Sequence, residues 1–177
     1  MTTRVVEVAP ERLDGWLVRF AANNPGPDAP QRVVATERFD HSPLAVVLVR
    51  RGGYAVGLAR AGAFTESKVG TRHVQSRTAA GGWSQQRFAR RRGNQADELV
   101  RAVAEHASRI LPRGIPAGVV VGGDKAMVRA VLDDLRLAHL GDLPRRELYD
   151  LPDPRRAVLE DALRRGRAVR VTLEERA

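Results

Sequence analysis

The sequence predicts a mixed α/β fold, of the α+β kind, in which helices cover a mixed sheet, and three observations lead to that prediction. Leu44 to Val49 is a continuous apolar run of the length expected for a buried strand. Residues 84–111 carry the longest amphipathic helical pattern in the chain. Short strand and helix patterns then alternate as far as Leu173, which indicates a sheet covered by helices.

The first 30 residues are predicted to form a helical arm and a linker ahead of one main domain, residues 31–177. From Pro10 to Ala22, apolar side chains recur at the spacing of an amphipathic helix. Asn23 to Pro30 reads NNPGPDAP, a composition that breaks regular structure. At 177 residues the chain is long enough to bury a sizeable core without disulfides, and it contains no cysteine.

Four strand candidates follow the linker, at residues 31–38, 44–51, 54–60 and 63–74. The second and third are separated by Gly52 and Gly53, a pair typical of a hairpin turn. The fourth has Phe64, Val69 and Val74 as its apolar members. The front of the main domain is therefore predicted to be rich in strands.

The long helix is predicted from Ser84 to Leu111, after a polar loop at residues 76–82, and Pro112 ends it. Its predicted apolar stripe comprises Phe88, Ala96, Leu99, Val103, Ala107 and Ile110. Charged side chains occupy the opposite side, where His106 is expected as a surface residue. The pattern predicts an amphipathic helix, one of those that cover the sheet.

The remainder of the chain is predicted to alternate between strands and helices. The strands are placed at residues 118–121, 147–151 and 168–173, and helices begin near Asp124 and Pro154. The predicted apolar face of the first of these helices consists of Met127, Val128, Val131, Leu132 and Leu135. Asp124 follows a Gly-Gly turn and is interpreted as the helix N-cap.

The charge of the chain is the first clue to a partner. The formal net charge is +9, and all the basic residues except Lys68 and Lys125 are arginine. Such a surplus favours a polyanion, because basic side chains displace condensed counterions from phosphates. An acidic membrane surface is the competing partner, but it requires a bulky apolar helix face, and aromatic residues are scarce here. We therefore favour nucleic acid and expect no membrane partner.

The N-terminus lacks the apolar stretch of a secretory signal, and the longest apolar run is too short to cross a bilayer. We expect a cytoplasmic protein that acts as a monomer. The four histidines are scattered and form no metal-ligand spacing with one another. We therefore expect neither a metal nor a cofactor.

The most informative segment is GGWSQQRFARRR, at residues 81–92. Gly81 and Gly82 permit backbone angles closed to other residues and a close approach to another backbone. The start of a helix offers unpaired N–H groups to an anion, and guanidinium groups bind phosphate with two hydrogen bonds. Gln85 and Gln86 are neutral amides that donate and accept hydrogen bonds. Each feature alone is common in turns and solvated helices, but the combination favours contact with RNA.

The same stretch resembles the motif of the catalytic middle domain of archaeal and eukaryotic class-1 peptide release factors. In that family Gly-Gly-Gln is followed by Ser, two further residues and Arg-Phe-Ala-Arg-x-Arg. The matching residues here are Gly81, Gly82, Ser84, Arg87, Phe88, Ala89, Arg90 and Arg92. Trp83 stands where the family has its glutamine. In this respect the segment more closely resembles a sister family, the release-factor-like peptidyl-tRNA hydrolases. Those proteins carry a shifted glutamine in a Gly-Ser-Gln arrangement.

The resemblance is to the bacterial or actinobacterial branch of that family, and it implies a catalytic domain at residues 31–177. The implied fold is a ribonuclease-H-like sheet with the long helix directly after the catalytic loop. It implies codon-independent hydrolysis of peptidyl-tRNA on stalled large ribosomal subunits, with the ribosomal RNA and peptidyl-tRNA as partners. The implied catalytic residues are Gly81, Gly82, Ser84, Gln85 and Gln86, with Gln85 first and Gln86 second as the amide that positions water. The implied RNA-binding residues are Arg72, Arg77, Trp83, Arg87, Arg90, Arg91 and Arg92.

Two other functions are compatible with parts of the sequence. Because Trp83 replaces the family's glutamine, the chain could bind the ribosomal A site without cutting anything. A metal-dependent nuclease is the third hypothesis, in which Asp124, Asp133, Asp134 and Asp150 would hold the ions. No spacing in the sequence requires that nuclease site.

Overall fold

A computed structural model describes residues 1–71 and 84–176. Its strands are β1 Thr2–Val8, β2 Gln31–Glu37, β3 Leu44–Arg50, β4 Gly53–Arg60, β5 Ala63–Thr71, β6 Gly118–Gly123, β7 Arg145–Leu148 and β8 Val169–Glu175. Its helices are α1 Leu13–Asn23, α2 Ser84–Ile110, α3 Lys125–Leu132 and α4 Arg156–Arg167, with short 3-10 turns at Pro10–Arg12 and Ala138–Leu140. The mixed α/β class is confirmed.

The chain folds as two compact units rather than around a single sheet. One unit contains Met1–Asp40 and Arg164–Ala177, and the other contains His41–Leu163. The predicted division between an arm and a main domain, after residue 30, therefore falls inside the first unit. It falls there because β2 pairs with β8, about 140 residues further along the chain.

The first unit is a three-stranded antiparallel sheet with one helix. The strand order is β1-β8-β2, so the last strand of the chain lies between the first two. Leu13, Leu17 and Phe20 of α1 pack with Val171 and Leu173 of β8 in a small core. Strand β1 reads TTRVVEV, is mostly exposed and was not predicted, because the pairing with β8 that supports it is not visible in the local sequence.

The second unit contains the predicted mixed sheet, with strand order β5-β4-β3-β6-β7. Strands β3, β4 and β5 are antiparallel neighbours, whereas β3, β6 and β7 run parallel. Leu44 to Val49 in β3 are all buried, as expected for a central strand covered on both faces. The apolar run thus correctly predicted a buried strand.

Several strand ends lie along one edge of this sheet. Arg50 at the end of β3 pairs with Gly53, which pairs in turn with Thr71 at the end of β5. Val49 pairs with Gly123 at the end of β6, so the carboxyl ends of these parallel strands lie along the same edge. In open α/β sheets this is the edge at which ligands bind. The fourth predicted strand is described only as far as Thr71, and Val74 lies outside the described residues.

Helix α2 covers one face of the mixed sheet with its C-terminal half. Leu99, Val103, Ala107 and Ile110 are buried in the core of the second unit, which confirms that part of the predicted stripe. Phe88 was placed in the same stripe, but 39% of its surface is exposed. The helical periodicity continues toward the N-terminus beyond the part of the helix that packs on the sheet.

One further expectation was wrong. Leu135, predicted on the apolar face of α3, is 87% exposed, because α3 ends at Leu132, before that residue. His106, predicted as a surface residue, is partly exposed, and its ring stacks on that of Tyr54 with centroids 5.7 Å apart. No helix in the described ranges is long and apolar enough to span a membrane.

Two of the aspartates considered for a nuclease, Asp124 and Asp134, serve local structure. Asp124 caps α3, and its Oδ1 accepts a hydrogen bond from the backbone N–H of Met127 at 3.1 Å. Asp134 accepts hydrogen bonds from Nε and Nη2 of Arg136, both at 2.9 Å, which lower the pKa of that carboxyl to about 2. Within the described residues, no three His, Asp or Glu side chains are grouped as ligands for a metal ion.

The contact between Tyr54 and Gly70 yields a prediction for stability. A Cβ at Gly70 would lie 2.3 Å from Cε1 of Tyr54, so Gly70→Ala should lower the free energy of unfolding by about 1–3 kcal/mol through overpacking. Urea denaturation followed by circular dichroism measures this change. Gly52→Ala is the control, since a Cβ there would meet nothing within 4 Å. Equal stabilities for the two variants would show that Tyr54 moves aside without cost.

The cap of α3 yields a second prediction, which also separates a structural role for Asp124 from a nuclease role. Asp124→Ala should cost about 1 kcal/mol of stability, whereas Asp124→Asn should be close to wild type, because asparagine caps helices equally well. Thermal and urea denaturation test both. Magnesium-dependent RNA cleavage that the stable Asp124→Asn variant loses would contradict the purely structural role.

Candidate functional site

The structure describes some of the residues predicted to form the site and not others. Arg72, Arg77, Gly81, Gly82 and Trp83 lie outside the described residues. Ser84 is the first residue of α2. Gln85 and Gln86 follow in its first turn, and both are exposed. An amide buried in the protein's own interior could not reach an outside ligand, so this exposure is required of any catalytic glutamine.

The beginning of α2 is a segment without a buried side chain. Every residue from Gln85 to Asn94 is exposed, and the first buried residue beyond them is Leu99. At a rise of 1.5 Å per residue, those exposed residues form roughly 15 Å of helix. We call residues 85–94 the α2 tip. The C-terminal half of α2 holds this tip in place by packing on the sheet, while the tip itself stays accessible.

The α2 tip separates the two glutamines onto different faces. Successive residues of a helix are rotated by about 100°, so Gln85 shares a face with Phe88 and Arg92, one and two turns further along. Gln86 lies on the face that carries Arg90. The helix therefore presents its two amides in different directions.

The arginines of the α2 tip form a strongly positive surface. Arg90 and Arg91 lie three and four residues after Arg87, the spacings that place helical side chains on one face. All are exposed, as is Arg92. The first turn contains no acidic residue. The nearest acidic residues along α2 are Asp97 and Glu98.

This charge arrangement opposes the stability of the helix itself. The N-terminus of a helix carries a partial positive charge, which favours acidic and disfavours basic side chains in the first turns. Like charges at three-to-four spacing add a penalty of about 0.2–0.5 kcal/mol per pair. An anion that binds here relieves both effects, and a phosphate group has the charge and the oxygen acceptors that guanidinium forks bind. The α2 tip is therefore suited to a polyanion.

A cluster of side chains joins the end of β5 to the C-terminal half of α2. Tyr54 in β4 pairs with Gly70, one residue before the end of β5, and stacks on His106 of α2. The absence of a side chain at Gly70 leaves the space that the Tyr54 ring occupies. Burial raises the pKa of the Tyr54 hydroxyl, so this group stays neutral at physiological pH. Sequence reasoning missed this cluster, because the glycine and both rings look ordinary when they are read separately.

The comparisons with known proteins agree with the resemblance carried by the arginine-rich helix. A family model described as Actinobacteria/chloroflexi VLRF1 release factor matches residues 42–172, a range that includes every predicted site residue. No curated protein matches the chain. Release factors act in translation, which accords with a basic, exposed helix tip. Because the match covers most of the sequence, the chain belongs to the Actinobacteria/chloroflexi VLRF1 release factor family.

Proposed function

We propose that this protein hydrolyses the ester of peptidyl-tRNA on stalled large ribosomal subunits and so releases the nascent chain independently of the codon. The observation that carries the proposal is the pair of exposed glutamines at the start of a projecting, arginine-rich helix. Membership of a release factor family supports it. The partners in this proposal are the RNA of the large subunit and peptidyl-tRNA, and the site of action is the cytoplasm.

The proposed reaction needs a positioned water more than it needs a protein acid or base. The water oxygen forms a bond to the ester carbonyl carbon, the bond from that carbon to the ribose oxygen breaks, and the water proton passes to the ribose oxygen. A neutral amide can accept a hydrogen bond from the water and donate one to the developing oxyanion. In this proposal Gln85 is the first candidate for that amide and Gln86 is the second.

In this proposal, the other site residues position the catalytic amide. Gly81 and Gly82 allow the chain before α2 to approach RNA closely, and Ser84 directly precedes the amide of Gln85. The basic and aromatic residues assigned to docking on ribosomal RNA and the tRNA acceptor end are Arg72, Arg77, Trp83, Arg87, Arg90, Arg91 and Arg92. Because RNA supplies the rest of the reacting centre, the protein alone should be nearly inactive. Positioning of this kind contributes to catalysis through orientation.

A non-catalytic role in the same place is the second candidate function. The observation that favours it is Trp83, which occupies the position of the glutamine in the related release factors. Under that hypothesis the protein binds the ribosomal A site and blocks it. The two functions share the docking surface and differ only in whether the peptide is released.

Replacement of the two glutamines tests the catalytic proposal. Gln85→Ala should lower the rate of peptide release from stalled large subunits by about 10²-fold, the effect of removing one hydrogen-bond donor at a developing oxyanion. Gln86→Ala should have the smaller effect. The measurement uses labelled peptidyl-tRNA on purified subunits, with co-sedimentation to show that binding is retained.

Gln95→Ala is the matched control, because it removes an amide from the same helix outside the α2 tip. Alanine is favourable in helices, so none of these changes should unfold α2. Wild-type release by both Gln85→Ala and Gln86→Ala would remove the catalytic assignment. Ribosome binding without release by the wild-type protein would favour the second candidate function.

Neutralisation of the α2 tip tests the docking proposal. The triple variant Arg87→Gln, Arg90→Gln, Arg91→Gln should bind subunits more weakly, and the slope of log affinity against log salt should fall by about 0.7–0.9 for each phosphate that is no longer neutralised. Filter binding at several salt concentrations measures the slope. Arg109→Gln is the control, since Arg109 lies at the other end of α2 and pairs with Glu105. An unchanged slope in the triple variant would place the RNA contact elsewhere.

A further inference from the structure

The exposure of Phe88 is not explained by the packing of α2 or by the proposed contacts to phosphate. Among the aromatic side chains of the described residues, Phe88 is the only one that is exposed rather than buried or half-buried, with 39% of its surface accessible. Other rings have protein neighbours. Trp16 stacks on Phe20, Tyr54 on His106, and the Phe64 ring lies beneath the guanidinium of Arg156.

Basic side chains surround Phe88 on the α2 tip. Arg91 and Arg92 lie three and four residues further along, which places their Cβ atoms about 5–6 Å from that of Phe88. Gln85 lies one turn before it, on the same face. One face of the helix therefore presents an exposed aromatic ring, two guanidinium groups beside it and a candidate catalytic amide.

The composition of this face discriminates between possible partners. A membrane surface requires a broad apolar face, and Phe88 is the only large apolar residue between Ser84 and Glu98. The backbone of an RNA duplex is contacted through phosphates and hydroxyls, for which an aromatic ring has no use. Unpaired nucleotides, in contrast, are bound by aromatic rings that stack on bases and by arginines that hold the backbone.

We propose that Phe88 stacks on an unpaired nucleobase of RNA, while Arg91 and Arg92 hold the adjoining phosphates. This inference rests on the proposed function in taking RNA as the partner, and it adds a base contact beside the reacting amide. The contact would orient the Gln85 face of the α2 tip toward single-stranded RNA. Phe88 is in this sense a positioning residue.

Direct binding of short RNAs by the full-length protein tests the inference. The probes are a fluorescein-labelled RNA of about 12 nucleotides, long enough to span one single-strand binding site, free and annealed to its complement, with affinities measured by anisotropy. Phe88→Ala should weaken binding of the single strand about tenfold or more, within the range for loss of one stacked base. Binding of the duplex should change by less than about twofold, because that binding is carried by phosphate contacts.

Two conservative variants separate stacking from simple packing. Phe88→Tyr keeps an aromatic ring and should bind the single strand like wild type, whereas Phe88→Leu keeps apolar bulk and should bind as weakly as Phe88→Ala. Leu135→Ala removes an exposed apolar side chain outside the α2 tip and should leave both affinities unchanged. Thermal denaturation confirms that the variants are folded.

Several results would overturn the inference. Wild-type affinity of Phe88→Leu for the single strand would assign Phe88 to packing, and equal losses for single strand and duplex would assign it a general role. A wild-type protein that does not prefer the single strand would also refute it.

The inference and the proposed function can fail separately. If Gln85→Ala and Gln86→Ala both release peptide normally while the Phe88 variants behave as expected, the proposed function fails and the stacking contact stands. If Gln85→Ala loses peptide release while Phe88→Ala binds both RNAs like wild type, the proposed function stands and the stacking contact is refuted.

Discussion

The packing of the C-terminal half of α2 on the mixed sheet is the constraint on which the candidate site depends. The core beside the sheet buries Leu99, Val103, Ala107 and Ile110. Full burial of a leucine, valine or isoleucine side chain contributes about 1.5–3 kcal/mol to the stability of the fold. An isolated helix as short as the α2 tip is marginal in water. The α2 tip can therefore hold a helical geometry only as the continuation of a helix whose other half is fixed.

The same constraint explains how a helix with an unfavourable charge distribution can exist. Arg87, Arg90 and Arg91 repel one another and oppose the helix dipole, yet these effects amount to tenths of a kcal/mol per pair. Burial of the apolar half outweighs them. A polyanion gains from the resulting field, so the charges that weaken the isolated helix strengthen its complex. The α2 tip is therefore less stable as a helix at the surface where binding is expected.

The first unit contains both ends of the chain. Its β1 and α1 lie outside the range that the family model matches. Strand β8 lies between β1 and β2 and so requires the N-terminal segment for its hydrogen bonds on both sides. The family model covers residues 42–172. The segment that carries the match thus ends inside a strand whose two neighbours come from outside it.

The sequence by itself determined the elements whose signal is local. Four such signals depend on neighbours a few residues away, and the structure has all of them. They are the apolar run of β3, the glycine pair between β3 and the body of β4, the periodicity of α2 and the cap at Asp124. The motif at residues 81–92 likewise predicts Gln85 and the arginines as site residues from local sequence alone. Periodicity predicts that a stripe is apolar, but it contains no information on where the opposing surface ends.

Tertiary structure decided the features that depend on distant partners. Phe88 and Leu99 belong to one stripe, yet only Leu99 faces the sheet, because the packed part of α2 begins near that residue. The pairing of β8 with β1 and β2, and the stack of Tyr54 on His106, join residues that are far apart in the sequence. Such contacts depend on which surfaces are buried against each other, and this is determined by the packing of the whole chain rather than by any one segment.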